Sequence, residues 1–519
     1  MPMKTGVVTA ALTFILLLAS NRTILSIDFI PDMDAAADIL LTQRAKHGWL
    51  LTGHYNTTGV HHPGPFFLYI RLIGQWVSRG ITGSIFGSQL TGVLAFSAFS
   101  AGLLAELLKE LTEREGAKAN EASYAALGAV TFLLCVLHRH IVSFWMPDII
   151  VMPFLIFLVA SMLASQGSVF GLLSATLYAA ILIHGYIPML LIVAPIWLYS
   201  ILKRQNTENY RRPNGFPCAA WAWVVIIISL FVSPLVLDAI IEPPGNLLLI
   251  LNKIKYLSIY SPLTLADSKY LWRYFLESIT ANLSTSVSLI VFSTVMTYRI
   301  RQAHGDLWLL ALPLTVMPFF FAGLAFSQSH APLSPYMFRF LEAPLLIPAT
   351  LGILMTSMEI DVKQRKIFLC ITASLLLSLS IVGRLTTTEF NNTALRSVSS
   401  AIAAENRPAN MIQLTGQIKY RKNIPDVAHI GTSSPIAGLM LDLDNLGISS
   451  CFPDSRLAYL LTPERICSNQ YRIANKYFIE TLPACDVNKN DPPPKQVGSG
   501  LSFESGKWRN CFHIRAYRD

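Results

Sequence analysis

The sequences DFIPDMD (residues 28–34) and GHYNTTGVHHPGPFFLY (residues 53–69) lie between the first two apolar segments of the chain. Together they carry three carboxylates and three imidazoles: Asp28, Asp32, Asp34, His54, His61 and His62. A loop that only connects two membrane spans rarely holds so many ionisable groups, and such groups beside a bilayer usually mark function. The first loop is therefore where we expect a reaction site.

The composition around this loop is that of a membrane protein. Of 519 residues, 53% are hydrophobic and only 14% are charged, and the mean hydropathy is +0.48. Soluble domains have roughly a quarter charged residues. The net charge is +9, from 40 Lys and Arg against 31 Asp and Glu. Much of this excess lies in short loops on one side, which indicates membrane topology and not a nucleic-acid partner.

The predicted fold class is an α-helical polytopic membrane protein with about eleven transmembrane helices and a small extracytoplasmic α/β C-terminal domain. Because several segments are short, ten or twelve crossings are alternatives. The first segment has no clear cleavage site and is interpreted as an uncleaved anchor. The predicted spans are 6–25, 83–108, 122–138, 147–165, 168–187, 188–202, 217–238, 283–299, 306–328, 336–357 and 366–384.

The basic residues of the loops predict the orientation. With the N-terminus in the cytoplasm, the short outer loops carry almost no basic residue beyond Arg139, as the positive-inside rule requires. An odd number of crossings then places the first loop (26–82) and the tail (385–519) outside. The basic residues assigned to the cytoplasm are Lys109, Arg114, Lys118, Lys203, Arg204, Arg211, Arg212, Arg299, Arg301, Lys363, Arg365 and Lys366.

The chain is predicted to have two domains, a transmembrane domain over 1–384 and an extracytoplasmic domain over 385–519. The tail has four cysteines, which indicate two disulfides with three connectivities open: Cys451, Cys467, Cys485 and Cys511. Zinc is the weaker alternative, since no Cys-x-x-Cys pair occurs. Residues 427–431 predict a strand and residues 435–447 a helix. The sequence has no phosphate-binding glycine loop, so neither ATP nor a soluble nucleotide sugar is expected.

Two segments of the first loop have the pattern of helices lying on a membrane surface. Residues 34–48 begin with an aspartate and end with basic residues and a glycine, and they have one apolar side but are too polar to span. Residues 66–79 are mostly apolar but include Arg71 and Arg79. Both segments are predicted to be interfacial helices, with the carboxylates at the entry of the first.

This layout resembles the GT-C superfamily of membrane glycosyltransferases, which take sugars from polyprenyl-phosphate carriers on the outer face. Residues 53–69 are similar to a Gly-x-Tyr…Asn-His-Pro-Gly-Pro…Phe-Tyr pattern of bacterial GT-C-like proteins, with His61 in place of Asn. Further fragments that resemble the pattern are Trp145-Met-Pro147, His184-Gly-Tyr186-Ile-Pro188, and Asp238 followed by Gly245-Asn246-Leu247. In the fragment that contains His184, Ile183 stands where the pattern has histidine, so His184 is offset by one residue.

The resemblance implies that Asp34, or its neighbour Asp32, is the catalytic base. Sugar transfer needs a base for the acceptor hydroxyl and donors or cations around the leaving phosphate. No cofactor is demanded by the pattern; a divalent cation on the loop aspartates is an open alternative without supporting ligand spacing. The substrate-binding residues are predicted to be Tyr55, His61, His62, His184, Asp238, Asn246, Lys255 and Arg339.

Several of these residues have a purely structural alternative. Asp34 precedes three alanines and fits a helix N-cap. His184 fits a buried histidine with satisfied hydrogen bonds, and Arg339 fits a pair with Glu342 one helical turn away. Two further polar residues near the motifs are interpreted as local structure: Trp145 and Asp148.

The main functional hypothesis is an inverting glycosyltransferase of GT-C type, moving a hexose or pentose from a polyprenyl-phosphate carrier. The acceptor would be an envelope glycan, lipid or protein, and the location a bacterial inner membrane. The alternative is a transporter or flippase of lipid-linked saccharides, which predicts internal repeats and broken or charged segments at mid-membrane. We find no convincing repeat. A non-catalytic glycan-binding homologue would lack the loop carboxylates.

Overall fold

The computed structural model describes residues 4–27, 29, 31, 33–46, 48–56, 60–204, 216–252, 295, 298, 305–327, 335–359, 364, 393–406, 411–418, 428–453, 467, 473–483, 501–504 and 512–518. The predicted span 366–384 and nearly all of 283–299 lie outside these residues. Individual predicted residues also lie outside them: Asp28, Asp32, Lys255, Cys485 and Cys511.

The remaining predicted spans correspond to helices. Among the described residues six helices are long and apolar enough to cross a membrane, and three shorter apolar helices accompany them. The polytopic α-helical fold class is therefore confirmed, while the number of crossings stays a prediction. The helices are Lys4–Ser20, Ile85–Arg114, Ala119–Val136, Met146–Ile149 continued by Val151–Ser165, Val169–Gly185, Met189–Arg204, Cys218–Ile241, Gly305–Ser327, and Glu342–Glu359 preceded by the 3-10 turn Pro335–Leu341.

The helix Val151–Ser165 forms the centre of the bundle, and every one of its side chains is buried. Five of the described bundle helices pack against it, namely Ile85–Arg114, Val169–Gly185, Met189–Arg204, Gly305–Ser327 and Glu342–Glu359. By contrast, Cys218–Ile241 exposes most of its apolar side chains. A helix that is apolar all round and exposed suits contact with lipid, whereas the central helix is covered by protein on all sides.

The first loop forms two short helices, Met33–Gln43 (the loop helix) and Phe66–Ser78 (the second loop helix). With 11 and 13 residues, both are too short to span a bilayer. The helical prediction for both segments agrees with the structure, and their position on a membrane surface stays a prediction. Arg71, which belongs to the predicted interfacial segment 66–79, is fully buried.

A glycine crossing holds the second loop helix against the helix Ile85–Arg114. A Cβ atom at Gly74 would lie 2.3 Å from the amide nitrogen of Gly92, and one at Gly92 would lie 2.2 Å from the carbonyl of Ile70. Both approaches are closer than a side chain allows, so the two backbones can come this close here because both residues are glycine. This contact presses the face that carries Arg71 into the protein.

The described part of the tail contains a five-stranded mixed sheet in the order β4-β3-β5-β7-β6. Strand β3 (Met411–Ile418) pairs in parallel with β4 (Ser449–Cys451) and β5 (Ile473–Pro483). Strand β7 (Phe512–Arg518) pairs antiparallel with β5 and with β6 (Leu501–Glu504). A disulfide joins Cys451 to Cys467. A second disulfide stays a prediction.

Two helices accompany the sheet, Thr393–Glu405 and Ala428–Asn445 (the tail helix). The predicted strand at 427–431 is wrong, because the helix already begins at Ala428. A short apolar run does not distinguish a strand from a helix by its periodicity alone. The tail helix packs against the loop helix, which places the tail and the first loop on the same side of the helical bundle.

Candidate functional site

Asp34 lies in the first turn of the loop helix and is bound by two other segments of the chain. The Tyr55 hydroxyl donates to one carboxylate oxygen, and the Trp145 indole Nε1 donates to the other at 2.9 Å. Burial raises the pKa of Asp34, against the effect of these two hydrogen bonds. Because Asp34 follows the first residue of the helix, the N-cap interpretation is wrong.

Asp38 lies one turn further along the same face of the loop helix, and its pKa is shifted in the opposite direction. It accepts hydrogen bonds from His54 Nδ1 at 2.7 Å and from Arg71 Nη1 at 2.6 Å. Burial alone would raise the pKa of Asp38, but the charges and hydrogen bonds of His54 and Arg71 outweigh it and lower the pKa to about 2. Two neighbouring carboxylates whose pKa values are moved apart are a typical feature of acid–base sites.

Arg71 is, after His54, the second group that lowers the pKa of Asp38. Its Nη2 also donates to the Phe144 carbonyl at 2.6 Å, and its guanidinium carbon lies 3.8 Å from the centre of the Phe144 ring. Arg71 thus joins both loop helices to the segment that precedes Trp145. Asp38 and Arg71 were not predicted as site residues from the sequence, and His54 was noted there only as one of the imidazoles of the first loop. The four-residue spacing of Asp34 and Asp38 was the available signal, since it places both on one helix face.

A β-hairpin supplies the partners of both aspartates. Strand β1 (Tyr55–Asn56) pairs antiparallel with β2 (Val60–His61), with Tyr55 opposite His61. Beyond the strands, the Gly53 amide donates to the His62 carbonyl at 2.9 Å, and the His62 amide donates to the His54 carbonyl at 2.7 Å. Because the hairpin is closed by these bonds, the consecutive residues His54 and Tyr55 reach Asp38 and Asp34 respectively.

The hairpin is attached to the end of the helix Val169–Gly185. The Ile187 amide donates to His62 Nδ1 at 3.3 Å, and the Gly64 amide donates to the His184 carbonyl at 3.2 Å. A Cβ atom at Gly64 would lie 2.0 Å from His184 Nδ1, so only glycine fits there. His184 Nε2 donates to the Phe231 carbonyl at 2.5 Å, which reaches a further helix.

His61 and His62 are neutral at physiological pH. Burial lowers the pKa of His61 to about 4 and that of His62 to about 3. Each can therefore offer a hydrogen bond to a ligand but no positive charge. The positive charge that a phosphate-binding site needs would therefore have to come from an arginine or a lysine.

Asp238 and Asn246 hold the hairpin from its other side. The Asn246 side-chain amide donates to the carbonyls of His61 at 3.0 Å and His62 at 3.4 Å, and its oxygen accepts from the His61 amide at 2.9 Å. The Asn246 backbone amide in turn donates to Asp238 at 2.5 Å. The fragment Asp238…Gly245-Asn246 is thus part of the same assembly as the first loop.

Arg339 reaches the site through Trp145 and Asp148. Its Nη1 donates to Asp148, its guanidinium carbon lies 5.0 Å from the centre of a Trp145 ring, and its side chain is 37% exposed. The expected alternative pair of Arg339 with Glu342 is wrong, because Glu342 accepts from His140 instead. The interpretation of Trp145 and Asp148 as local structure is also wrong, since they connect Arg339 with Asp34.

His140 bridges Asp148 at 3.1 Å and Glu342 at 3.0 Å. Burial opposes the charged form, but hydrogen bonds and charges of both carboxylates outweigh it and raise the pKa of His140 to about 9. A raised folded-state pKa adds stability that is fully present below the ordinary value of 6.5 and is lost as the pH rises through about 9.

We therefore expect the melting temperature of the purified protein to fall by about 5 °C more than that of His140→Gln between pH 6.5 and 9. The pH dependence of melting in detergent measures this. His138→Gln is the matched control and should keep the wild-type pH dependence, because burial lowers the pKa of His138. Parallel curves for the wild type and His140→Gln would rule out a protonated bridge.

The structure connects the predicted residues that it describes into one continuous set of contacts: Asp34, Tyr55, His61, His62, His184, Asp238, Asn246 and Arg339. Asp32 and Lys255 lie outside the described residues. Over those same described ranges, no group of three or more His, Cys, Asp or Glu side chains is placed to hold a metal ion.

The fold is similar to that of a solved structure over nearly the whole chain. The chain is similar to ArnT from Cupriavidus metallidurans bound to undecaprenyl phosphate, with a TM-score of 0.53, 11% identity, and coverage of 98% of this chain and 97% of that one. The apo state of ArnT matches with the same TM-score and 12% identity. ArnT is a GT-C glycosyltransferase, so the resemblance in fold to that class is confirmed. No protein-family model and no curated protein sequence matches the chain.

Proposed function

We propose that this chain, a multi-pass protein with the fold of ArnT, is a membrane glycosyltransferase that uses a polyprenyl-phosphate sugar as donor. The observation that carries the proposal is Asp34, a carboxylate with a raised pKa, held by Tyr55 and Trp145 at the entry of the first loop. The match to ArnT over nearly the whole chain supports the class of reaction. Further support comes from the neighbour's undecaprenyl phosphate, the carrier class that we propose here.

The proposed reaction is a single displacement with inversion. The acceptor hydroxyl oxygen forms a bond to the anomeric carbon, the bond from that carbon to the phosphate oxygen breaks, and polyprenyl phosphate leaves. Asp34 takes the hydroxyl proton. Tyr55 and Trp145 each occupy one position on a carboxylate that can accept about four hydrogen bonds, so an acceptor can still be bound. A raised pKa makes Asp34 a stronger base than an ordinary aspartate.

We propose Arg339 as the principal phosphate-binding residue of the described site. Its guanidinium is always charged, has five N–H donors and is 37% exposed. His61 and His62 would add neutral hydrogen bonds, and Lys255 stays a predicted contact. Asp238 and Asn246, whose polar atoms hold the hairpin, would position the loop. A divalent cation on the loop carboxylates stays an open alternative that metal removal would test.

The function is tested with purified protein in proteoliposomes, a panel of polyprenyl-phosphate hexoses and pentoses as donors, and glycans, lipids and peptides with free hydroxyl groups as acceptors. Release of polyprenyl phosphate together with a glycosylated acceptor is the expected result. The transport alternative predicts instead that labelled lipid-linked sugar crosses the bilayer without any product. Transbilayer movement with no product across the whole panel would reject the proposal in favour of a flippase.

Arg339→Ala is expected to weaken binding of polyprenyl phosphate by at least about tenfold, because one charge-assisted phosphate contact is lost. Arg339→Lys should recover only part of the affinity, since a point charge replaces a forked donor. Titration with the carrier alone, without a sugar, measures both. Glu342→Gln is the matched control and should bind normally, because Glu342 pairs with His140. Unchanged affinity in Arg339→Ala would contradict the phosphate role.

We propose a bacterial inner-membrane location with the first loop and tail outside the cytoplasm. The contact between the tail helix and the loop helix supports a shared side. Cysteines introduced at Thr58 and Ser499 should react with an impermeant reagent in intact cells, and one at Asn206 should not, with the parent chain as the control for its own cysteines. Labelling at Asn206 but not at Thr58 would invert the orientation and remove the site from the outer face.

A further inference from the structure

Trp145 contacts both groups that the proposed function uses separately. The edge of its indole donates from Nε1 to Asp34 at 2.9 Å. One of its rings lies 5.0 Å from the guanidinium carbon of Arg339, within the range of a cation–π contact. The same side chain therefore touches the proposed base with its N–H and the proposed phosphate-binding cation with its ring.

The indole is held in place by the ion pair that also holds Arg339. The Trp145 amide donates to Ser143 Oγ at 3.1 Å, and Ser143 Oγ donates to Asp148 Oδ2 at 2.8 Å. The other oxygen of Asp148 accepts from Arg339. One carboxylate therefore fixes the backbone that carries the indole and the guanidinium that lies against it. Trp145 is thus the side chain that connects Arg339 with Asp34.

We propose that Trp145 is a positioning residue that fixes the base, Asp34, relative to the phosphate subsite at Arg339. This inference rests on the proposed function for the identity of the two subsites. The two contacts use different parts of the side chain, so they can be removed separately. Phenylalanine keeps an aromatic face and removes the N–H, whereas leucine removes both.

Trp145→Phe should change the pKa of Asp34 while largely preserving the affinity for polyprenyl phosphate. Loss of one hydrogen bond to the carboxylate raises the pKa of Asp34 further, so the acidic limb of the pH profile of kcat/KM should move up by about one pH unit. Affinity for polyprenyl phosphate should fall by less than about threefold, because the ring still faces Arg339. Trp145→Leu should move the acidic limb equally and also lower carrier affinity, by about three- to thirtyfold.

Trp76→Phe is the matched control, since Trp76 is exposed on the second loop helix and should leave both quantities unchanged. A structural role alone would lower melting temperature and activity in Trp145→Phe without moving the acidic limb, and that result would overturn the proposal. Equal losses of carrier affinity in the phenylalanine and leucine variants would also overturn it.

A readout that needs no turnover separates this inference from the proposed function. Subtracting the fluorescence of Trp145→Phe from that of the wild type isolates Trp145 among the 9 tryptophans. This difference spectrum should change with pH as Asp34 ionises, and it should shift when polyprenyl phosphate is added. The same subtraction made in the Asp34→Asn background should give a difference that does not depend on pH. A pH-independent difference, unaffected by the carrier, would reject the positioning role. Absence of sugar transfer with the fluorescence response intact would reject only the assigned reaction.

Discussion

Asp34→Asn is expected to reduce sugar transfer by about 100- to 10,000-fold, the range for loss of a positioned base. The melting temperature should stay nearly unchanged, because asparagine keeps both contacts of the carboxylate. Its oxygen can accept from the Trp145 indole, and its NH2 group can donate to the Tyr55 hydroxyl, which serves as donor or acceptor. Initial rates with a polyprenyl-phosphate sugar, measured beside thermal melting, test both parts.

The control for Asp34→Asn is Glu110→Gln, because Glu110 pairs with Arg114 at the far end of a bundle helix. It should retain full activity. Near-normal activity in Asp34→Asn would transfer the proposed role to Asp32. Normal activity in both single variants and in the double variant would exclude an aspartate base in this loop.

Arg71→Met is expected to destabilise the protein by about 3–5 kcal/mol, which is the usual effect of removing one partner of a buried ion pair. The exposed fractions of the Arg71 and Asp38 side chains are 0% and 6%, so water cannot replace the lost contact. The variant also leaves the Phe144 carbonyl without its donor. Arg71→Lys should recover only part of the stability, since lysine has no second planar donor for that carbonyl.

Arg79→Met is the matched control, because Arg79 follows the same helix and is exposed. Its effect should be within about 0.5 kcal/mol. Chemical denaturation or thermal melting in detergent distinguishes the two variants. Adding Asp38→Leu to Arg71→Met should restore part of the stability, because the buried carboxylate that has lost its arginine partner is then removed. Equal melting temperatures for Arg71→Met and Arg79→Met would show that the buried pair contributes nothing.

The candidate base was accessible from the sequence, whereas its partners were not. Asp34 lies in a loop that is too polar for the membrane, and the resemblance to GT-C patterns selected it. Trp145 donates to Asp34 across 111 residues of sequence. Trp145 belongs to a fragment that resembles the GT-C pattern, but the sequence does not show which carboxylate its indole will contact. The same applies to Arg339, whose nearest acid in sequence, Glu342, is not its partner.

Arg71 shows the same limit in a different way. Residues 66–79, with Arg71 and Arg79, are predicted from the sequence as an interfacial helix, and that pattern does not show on which side Arg71 is covered. The glycine crossing of Gly74 with Gly92 turns the side that carries Arg71 inward, and Asp38 and Phe144 then bind the guanidinium. Hydrophobic periodicity describes one helix at a time, so it cannot show which face a neighbouring helix will cover.

The sequence by itself determined the polytopic helical fold and the approximate positions of most described helices, and it proposed the first loop as the candidate site. It could do so because the bilayer allows few solutions, and about twenty apolar residues must satisfy their own backbone hydrogen bonds. Only the tertiary structure decided that Asp34 has a raised pKa, that Asp38 has a lowered one, and that Trp145 joins Asp34 to Arg339. Those properties depend on distances between groups brought together from separate segments, because burial and charge act through space and not along the chain.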